Sequence, residues 1–168
     1  RFAGSPTFLS PPSTWEELVN STFPSLIKRD FDRTIKRSVV AMGEYDNVRN
    51  AFGIISTLLI QSGSELVQID DKGRYEVMLR SSVDGNGDPF VSSLDFYTRF
   101  SKPSNALYSW NRSFSEDRLE FIAEDLSLYF GYGSEGVQIE RVNPNLNFDI
   151  AEVPQGATDT IRRTYGKF

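Results

Sequence analysis

Gly131-Tyr132-Gly133-Ser134-Glu135-Gly136 matches G-x-G-x-x-G letter for letter, and glycines at that spacing can let backbone N–H groups approach a pyrophosphate. The chemistry needs a strand ahead of the loop and a helix opening directly behind it. Val137 to Val142 alternates apolar and polar residues like a strand and is stopped by Pro144. Only about 30 residues remain, too few for the rest of a dinucleotide fold. The sequence therefore favours a helix terminator followed by a flexible turn.

Ser25-Leu26-Ile27-Lys28 has the S-x-x-K form of an acyl-transfer nucleophile and its lysine. No S-D-N or K-T-G element accompanies it, and Ser25 is accounted for as a first-turn residue behind Pro24. Asp84-Gly85-Asn86-Gly87-Asp88, with Asp95 twelfth in the series, sets oxygen side chains at the first, third and fifth positions of a calcium loop. Pro89 stands where the turn-making glycine belongs, and Asp95 is shorter than the usual bidentate Glu. The loop reads as a solvated hairpin turn, with Asp84, Asn86, Asp88 and Asp95 as calcium ligands no tighter than the millimolar range.

The chain contains no His and no Cys. Ser–His–Asp triads, Cys–His pairs, His-ligated metals, thiolate sites and disulfides are thereby excluded. An enzyme would have to work through carboxylates, Lys or Tyr, and no cofactor is implied. The balance favours a non-enzymatic protein.

One further group could act through charge. Lys28, Arg29, Arg33, Lys36 and Arg37 fall on about half the circumference of a helix at 100° per residue, opposite a stripe of Ile27, Phe31, Ile35, Val39 and Met42. A charged face of this kind is ordinarily solvated. Its functional alternative is docking to an acidic partner, a phosphate-bearing ligand or an anionic membrane surface.

The elements that would position these residues follow from period and punctuation. Thr14-Trp15-Glu16-Glu17 has the capping-box form and predicts a short helix to Ser21. A second helix follows from Pro24 to Gly43. A third carries Tyr45, Val48, Phe52, Ile55 and Leu59 on one face and is closed by Gly63. Beyond Gly63 the period becomes two. Leu66 to Ile69 and Tyr75, Val77, Leu79 flank Asp70-Asp71-Lys72-Gly73 as a hairpin. A second hairpin is predicted around Asp84 to Pro89 with Phe90 to Phe100, and a strand over Ala106 to Phe114. Ser115 to Phe130 reads as a helix with a competing strand reading. Short strands are predicted at Val137 to Val142 and Phe148 to Val153.

These elements predict an α+β fold: N-terminal helices packed on a mainly antiparallel sheet of four to six strands, a further helix near 116–130, and extended arms at both termini. Residues 14–153 form the single domain, 1–13 an arm rich in Pro, and 154–168 a polar tail. At 168 residues the chain is long enough for one core. Residues 1–63 carry a net charge of +1 and residues 64–168 one of −6, so general nucleic-acid binding is disfavoured. No apolar run is long enough to span a membrane. The chain begins at Arg1, which reads as a processed product of unassigned compartment. The sequons at Asn20 and Asn111 are short enough to arise by chance.

Phe2, Phe8, Tyr165 and Phe168 lie in segments too poor in periodic apolar residues to fold alone. With the basic face they are the candidate contacts to other protein subunits. The leading expectation is thus a non-enzymatic subunit or assembly protein that docks through its arms and an aromatic-rich β face. A small apolar-ligand module with a cavity between helices and a curved sheet comes second, and a carboxylate-dependent hydrolase third.

Overall fold

The fold is α+β, seen in a computed structural model that describes residues 10–81, 85, 87–157 and 162–165. Among the described residues helices and strands interleave from Trp15 to Val142, with five strands in two sheets.

The Thr14 hydroxyl caps the first helical run by accepting from Glu17 N–H at 3.1 Å, as its residue type predicts. The run does not stop at Ser21. It continues from α1 (Trp15–Glu17) through a π-turn (Leu18–Thr22) into α2 (Phe23–Leu26), where Phe23 N–H reaches Leu18 O. Pro24 lacks an N–H and its ring would strike the carbonyl four residues back in an α-helix. The wider π-turn ahead of it accommodates both.

The helix expected over 25–43 is absent. The chain becomes extended at Ile27 and forms β1 (Lys28–Arg29) and β2 (Ile35–Val40), paired antiparallel around the turn Asp30-Phe31-Asp32-Arg33. Asp30 N–H donates to Thr34 O, the Asp32 carboxylate accepts from Thr34 N–H, and Arg33 takes φ +68°. The β-branched run Thr34, Ile35, Val39, Val40 suits a strand better than a helix. Phe31, placed on a core stripe by helical period, stands fully exposed at the turn. β2 is the central strand, since β5 (Leu126–Leu128) pairs with it in parallel through Ser38↔Leu126 and Val40↔Leu128. Gly43, at φ +97°, lets the chain leave β2 where a Cβ would lie 2.8 Å from the Ser101 backbone nitrogen.

Helix α3 (Ala51–Gln61) ends as expected, with Gly63 at φ +84° donating to Ile60 O. Its buried face is set by Ala51, Ile54 and Leu58, while Tyr45 and Phe52 of the expected face are exposed. The hairpin β3 (Val67–Ile69) and β4 (Tyr75–Val77) forms around Asp70 to Gly73 as expected, in the register Val67↔Val77 and Ile69↔Tyr75. The Asp70 carboxylate holds the turn by accepting from Lys72 and Arg74 N–H.

The second predicted hairpin is a helix, α4 (Pro89–Arg99). Asp88 caps it, accepting from Phe90 and Val91 N–H at 3.1 Å, and Pro89 fits the first turn, where no donor is required. Asp88→Ala should lower stability by about 1 kcal/mol, measurable by urea denaturation; no change would mean the cap contributes nothing. Ala106 to Phe114 makes no strand, and its turns are tied to Phe100 O by Ser109 and Trp110 N–H. The region 115–130 resolves into both of its readings, α5 (Asp117–Ile122) followed by β5. Val137 to Val142 is helical, within α6 (Gly136–Val142), and Phe148 to Val153 is not a strand.

The core lies between β2, the first helical run, α3 and α4, with Leu18, Val39, Val40, Met42, Phe100 and Trp110 wholly buried. Trp15, Phe96, Phe100 and Phe23 form a chain of edge-to-face contacts at 5.5 to 6.1 Å that binds the first helical run to α4. The end of the chain returns to this body. Gln155 bridges Ser13 O and Trp15 N–H, and Gln61 takes the Trp15 indole N–H while donating to Pro154 O and Arg163 O.

Candidate functional site

The three motifs read from the sequence are absorbed by structural work. For the glycine loop, the context denied to it is present: β5 precedes it, and a 3₁₀ turn (Gly133–Glu135) leads into α6. The anion position is nevertheless taken by the chain itself. Glu135 accepts from Tyr132 N–H at 3.0 Å and from the Tyr129 hydroxyl at 2.6 Å. Burial works against its charge, yet Tyr129, Tyr132, Asn50 and Arg49 together hold Glu135 below its ordinary pKa. A phosphate would meet this carboxylate, and two of the glycines serve packing: a Cβ on Gly131 would strike the Tyr129 ring and one on Gly136 would come within 3.0 Å of Ile150.

Ser25 Oγ donates to Thr22 O at 2.7 Å while Lys28 sits exposed on β1, so no nucleophile and base are brought together. Of the calcium residues, Asp84 and Asn86 lie outside the described residues. Asp88 and Asp95 are separated by two turns of α4, roughly 10 Å along its axis, and are engaged by Arg80 at 2.7 Å and Arg99 at 2.6 Å. Those guanidinium hydrogen bonds hold both carboxylates below their usual pKa. Among the described residues no cluster of metal-ligating side chains is assembled.

The five basic residues do not form a helical face. Lys28, Arg29, Arg33 and Lys36 are exposed as expected, but from β1, the turn and β2. Arg29 donates to Tyr108 O and lies over its ring at 5.7 Å, and Lys36 pairs with Asp30 at 3.2 Å. A membrane contact through an amphipathic basic helix is therefore withdrawn. Among the described residues no helix is long and apolar enough to cross a membrane.

Phe2, Phe8 and Phe168 lie outside the described residues. Tyr165, expected to reach a partner, packs on its own chain: its ring meets Phe52 edge-on at 5.5 Å and its N–H donates to Thr57 Oγ1 at 3.0 Å.

Two surfaces are left. One is the β3–β4 hairpin. Its directly opposed pairs put Val67, Ile69, Tyr75 and Val77 on one face, and all four are exposed, at 50, 59, 78 and 74%. The other is a groove of about 220 Å³ beside β5, lined by Arg37, Phe121, Ser127, Phe130, Phe148 and Val153 among others. Neither its location nor Ser127 was legible in the sequence, because Arg37 faces the groove only if residues 35–40 are a strand.

Buried polar groups mark a further neighbourhood. Asp117 is 1% exposed and accepts from Arg49 and Arg118 N–H at 3.2 and 2.8 Å. Burial pushes its carboxyl up to about 6 against those two donors, with Glu116 and Glu135 adding to the rise. The sequence hint was slight, an acid at the start of a predicted helix. Tyr97, also buried, donates its hydroxyl to Glu44 O at 2.6 Å, and burial raises its pKa.

Compared with protein-family models, with curated proteins and with solved structures, the chain matches none.

Proposed function

We propose that the chain is a non-enzymatic subunit of a larger protein assembly and that the β3–β4 hairpin is its docking element. The single observation that carries this reading is the apolar face of Val67, Ile69, Tyr75 and Val77, which the described residues leave at least half exposed. A two-stranded hairpin is marginal in isolation. Here Asp70 and Arg74 close its turn with an ion pair at 2.7 Å, and at its base Met78 N–H donates to Leu66 O and Ser64 Oγ donates to Met78 O. An exposed apolar sheet face is also an aggregation hazard, so it supports a surface that is covered when the protein is at work.

The occupant is a different protein subunit with an apolar groove. Four side chains of this size make a patch of a few hundred Å², the scale of an interaction site. Two copies meeting face to face would bury less than the roughly 800 Å² per partner of a stable interface. A groove enclosing the face and the free strand edges reaches that area. The absence of His and Cys agrees with a role in binding.

Tyr75→Glu and Val77→Lys test the reading, since both positions are solvent-facing and the fold should tolerate them within about 0.5 kcal/mol. In its source the chain should run well above 19.0 kDa, and a photo-crosslinker at position 75 should join it to one other protein species. Each variant should weaken that complex by at least about tenfold, given 1.5–3 kcal/mol per buried apolar side chain. A free 19.0 kDa chain, or variants that assemble like the parent, would overturn the proposal.

A further inference from the structure

Arg37 and Ser127 sit on neighbouring strands and share one side of the sheet, because the Ser38↔Leu126 pair between them faces the other. Both line the groove beside β5. Among the described residues, Arg37 Nε and Ser127 Oγ are buried there without a hydrogen-bond partner, and no carboxylate lies within ion-pair distance of Arg37. Buried donors are ordinarily satisfied, and an unsatisfied pair converging on a cavity calls for an acceptor from outside.

We infer that the groove beside β5 is a binding site for a small monocarboxylate with an apolar body. The Arg37 guanidinium presents Nε–H and its fork to a carboxylate, and the Ser127 hydroxyl donates to the same group. The rings of Phe121, Phe130 and Phe148 with Val153 receive the apolar portion. Charge selects against a phosphate: Glu124, Asp149 and Glu152 also line the groove, and their repulsion grows with the ligand's charge. Glu152 is paired with Arg162 and is the least opposed to a monoanion. A volume of about 220 Å³ fits a short or medium chain, or one aromatic ring, and not a long lipid.

The test uses octanoate, octanol and octyl phosphate with the full chain, followed by calorimetry and by amide chemical shifts of residues 126–130. Octanoate should bind and shift those amides. Octanol should bind at least about tenfold more weakly, the loss of one charge-assisted contact, and octyl phosphate should bind more weakly than octanoate because Glu124 and Asp149 repel its greater charge. Arg37→Gln should reduce octanoate affinity by about ten- to a hundredfold and Ser127→Ala by a few fold. Should Arg37→Gln fold poorly, Arg37→Lys keeps the charge without the fork and should still bind octanoate more weakly than the parent. Equal affinity for octanol, unshifted amides at millimolar octanoate, or parent-like binding by both Arg37 variants would overturn the site. The hairpin plays no part in this outcome, so the two proposals fail separately.

Discussion

Trp110→Ala is expected to be among the most damaging single substitutions in this chain, lowering unfolding free energy by about 3–5 kcal/mol. The indole is 0% exposed and stacks on Phe114 at 4.7 Å and 12°. Its Nε1–H donates to Asn47 Oδ1 at 3.0 Å, and Asn47 Nδ2 in turn donates to Asn111 O and Phe114 O. Residues 105–116 have no regular secondary structure, so this network replaces the ladder a strand would have supplied. Removing the indole leaves a cavity and an unpartnered acceptor on Asn47. Trp110→Phe keeps much of the ring contact but forfeits the hydrogen bond, and should cost less, about 1–3 kcal/mol. Urea denaturation decides the matter: loss of under 1 kcal/mol for the alanine variant, by the same scale, would show that the segment is held by something else.

The second large effect is a pH dependence centred on Asp117. Its folded pKa of about 6 exceeds the unfolded value near 3.9. Below about pH 4 both states are protonated and the group contributes nothing. Between 4 and 6 the folded state holds the extra proton, so stability falls as pH rises, and above 6 the whole penalty is present. Two pH units correspond to at most about 3 kcal/mol. Asp117→Asn retains an acceptor for Arg49 and Arg118 N–H without the charge. The variant should therefore gain stability relative to the parent as pH rises from 4 to 7. Carboxylates lowered by their partners, such as Asp70 and Asp95, act in the opposite sense. They are common to both proteins and cancel in the difference. A difference that is flat with pH, or that favours the parent at pH 7, would refute the assignment.

Local chemistry was legible wherever a signal needs only a few neighbouring residues. Thr14 as an N-cap, Gly63 as a helix terminator and Asp70 to Gly73 as a hairpin turn all follow from groups that satisfy backbone atoms within five residues. The failures are equally physical. Ile27, Phe31, Ile35, Val39 and Met42 keep a helical period, but Ile27 ends α2, Phe31 stands at a turn and Ile35 and Val39 lie on β2, and the β-branched residues with two aspartates at Asp30 and Asp32 were the better signal. Asp88 resembled a metal ligand because an N-cap and a calcium loop call for the same side chain, an oxygen acceptor near a turn.

By itself the sequence determined the α+β class, the first hairpin and its turn, the exclusion of imidazole and thiol chemistry, and the solvent exposure of most of the basic residues. These depend on composition and short-range periodicity. Tertiary structure decided where Arg37 points, which side of α3 is buried, and that Asp117 is enclosed while the hairpin's apolar face is not. A charged residue at a strand edge and one above a cavity read identically in sequence. The parallel pairing of β2 with β5 joins residues more than eighty positions apart, and only that pairing brings Arg37 and Ser127 to one groove.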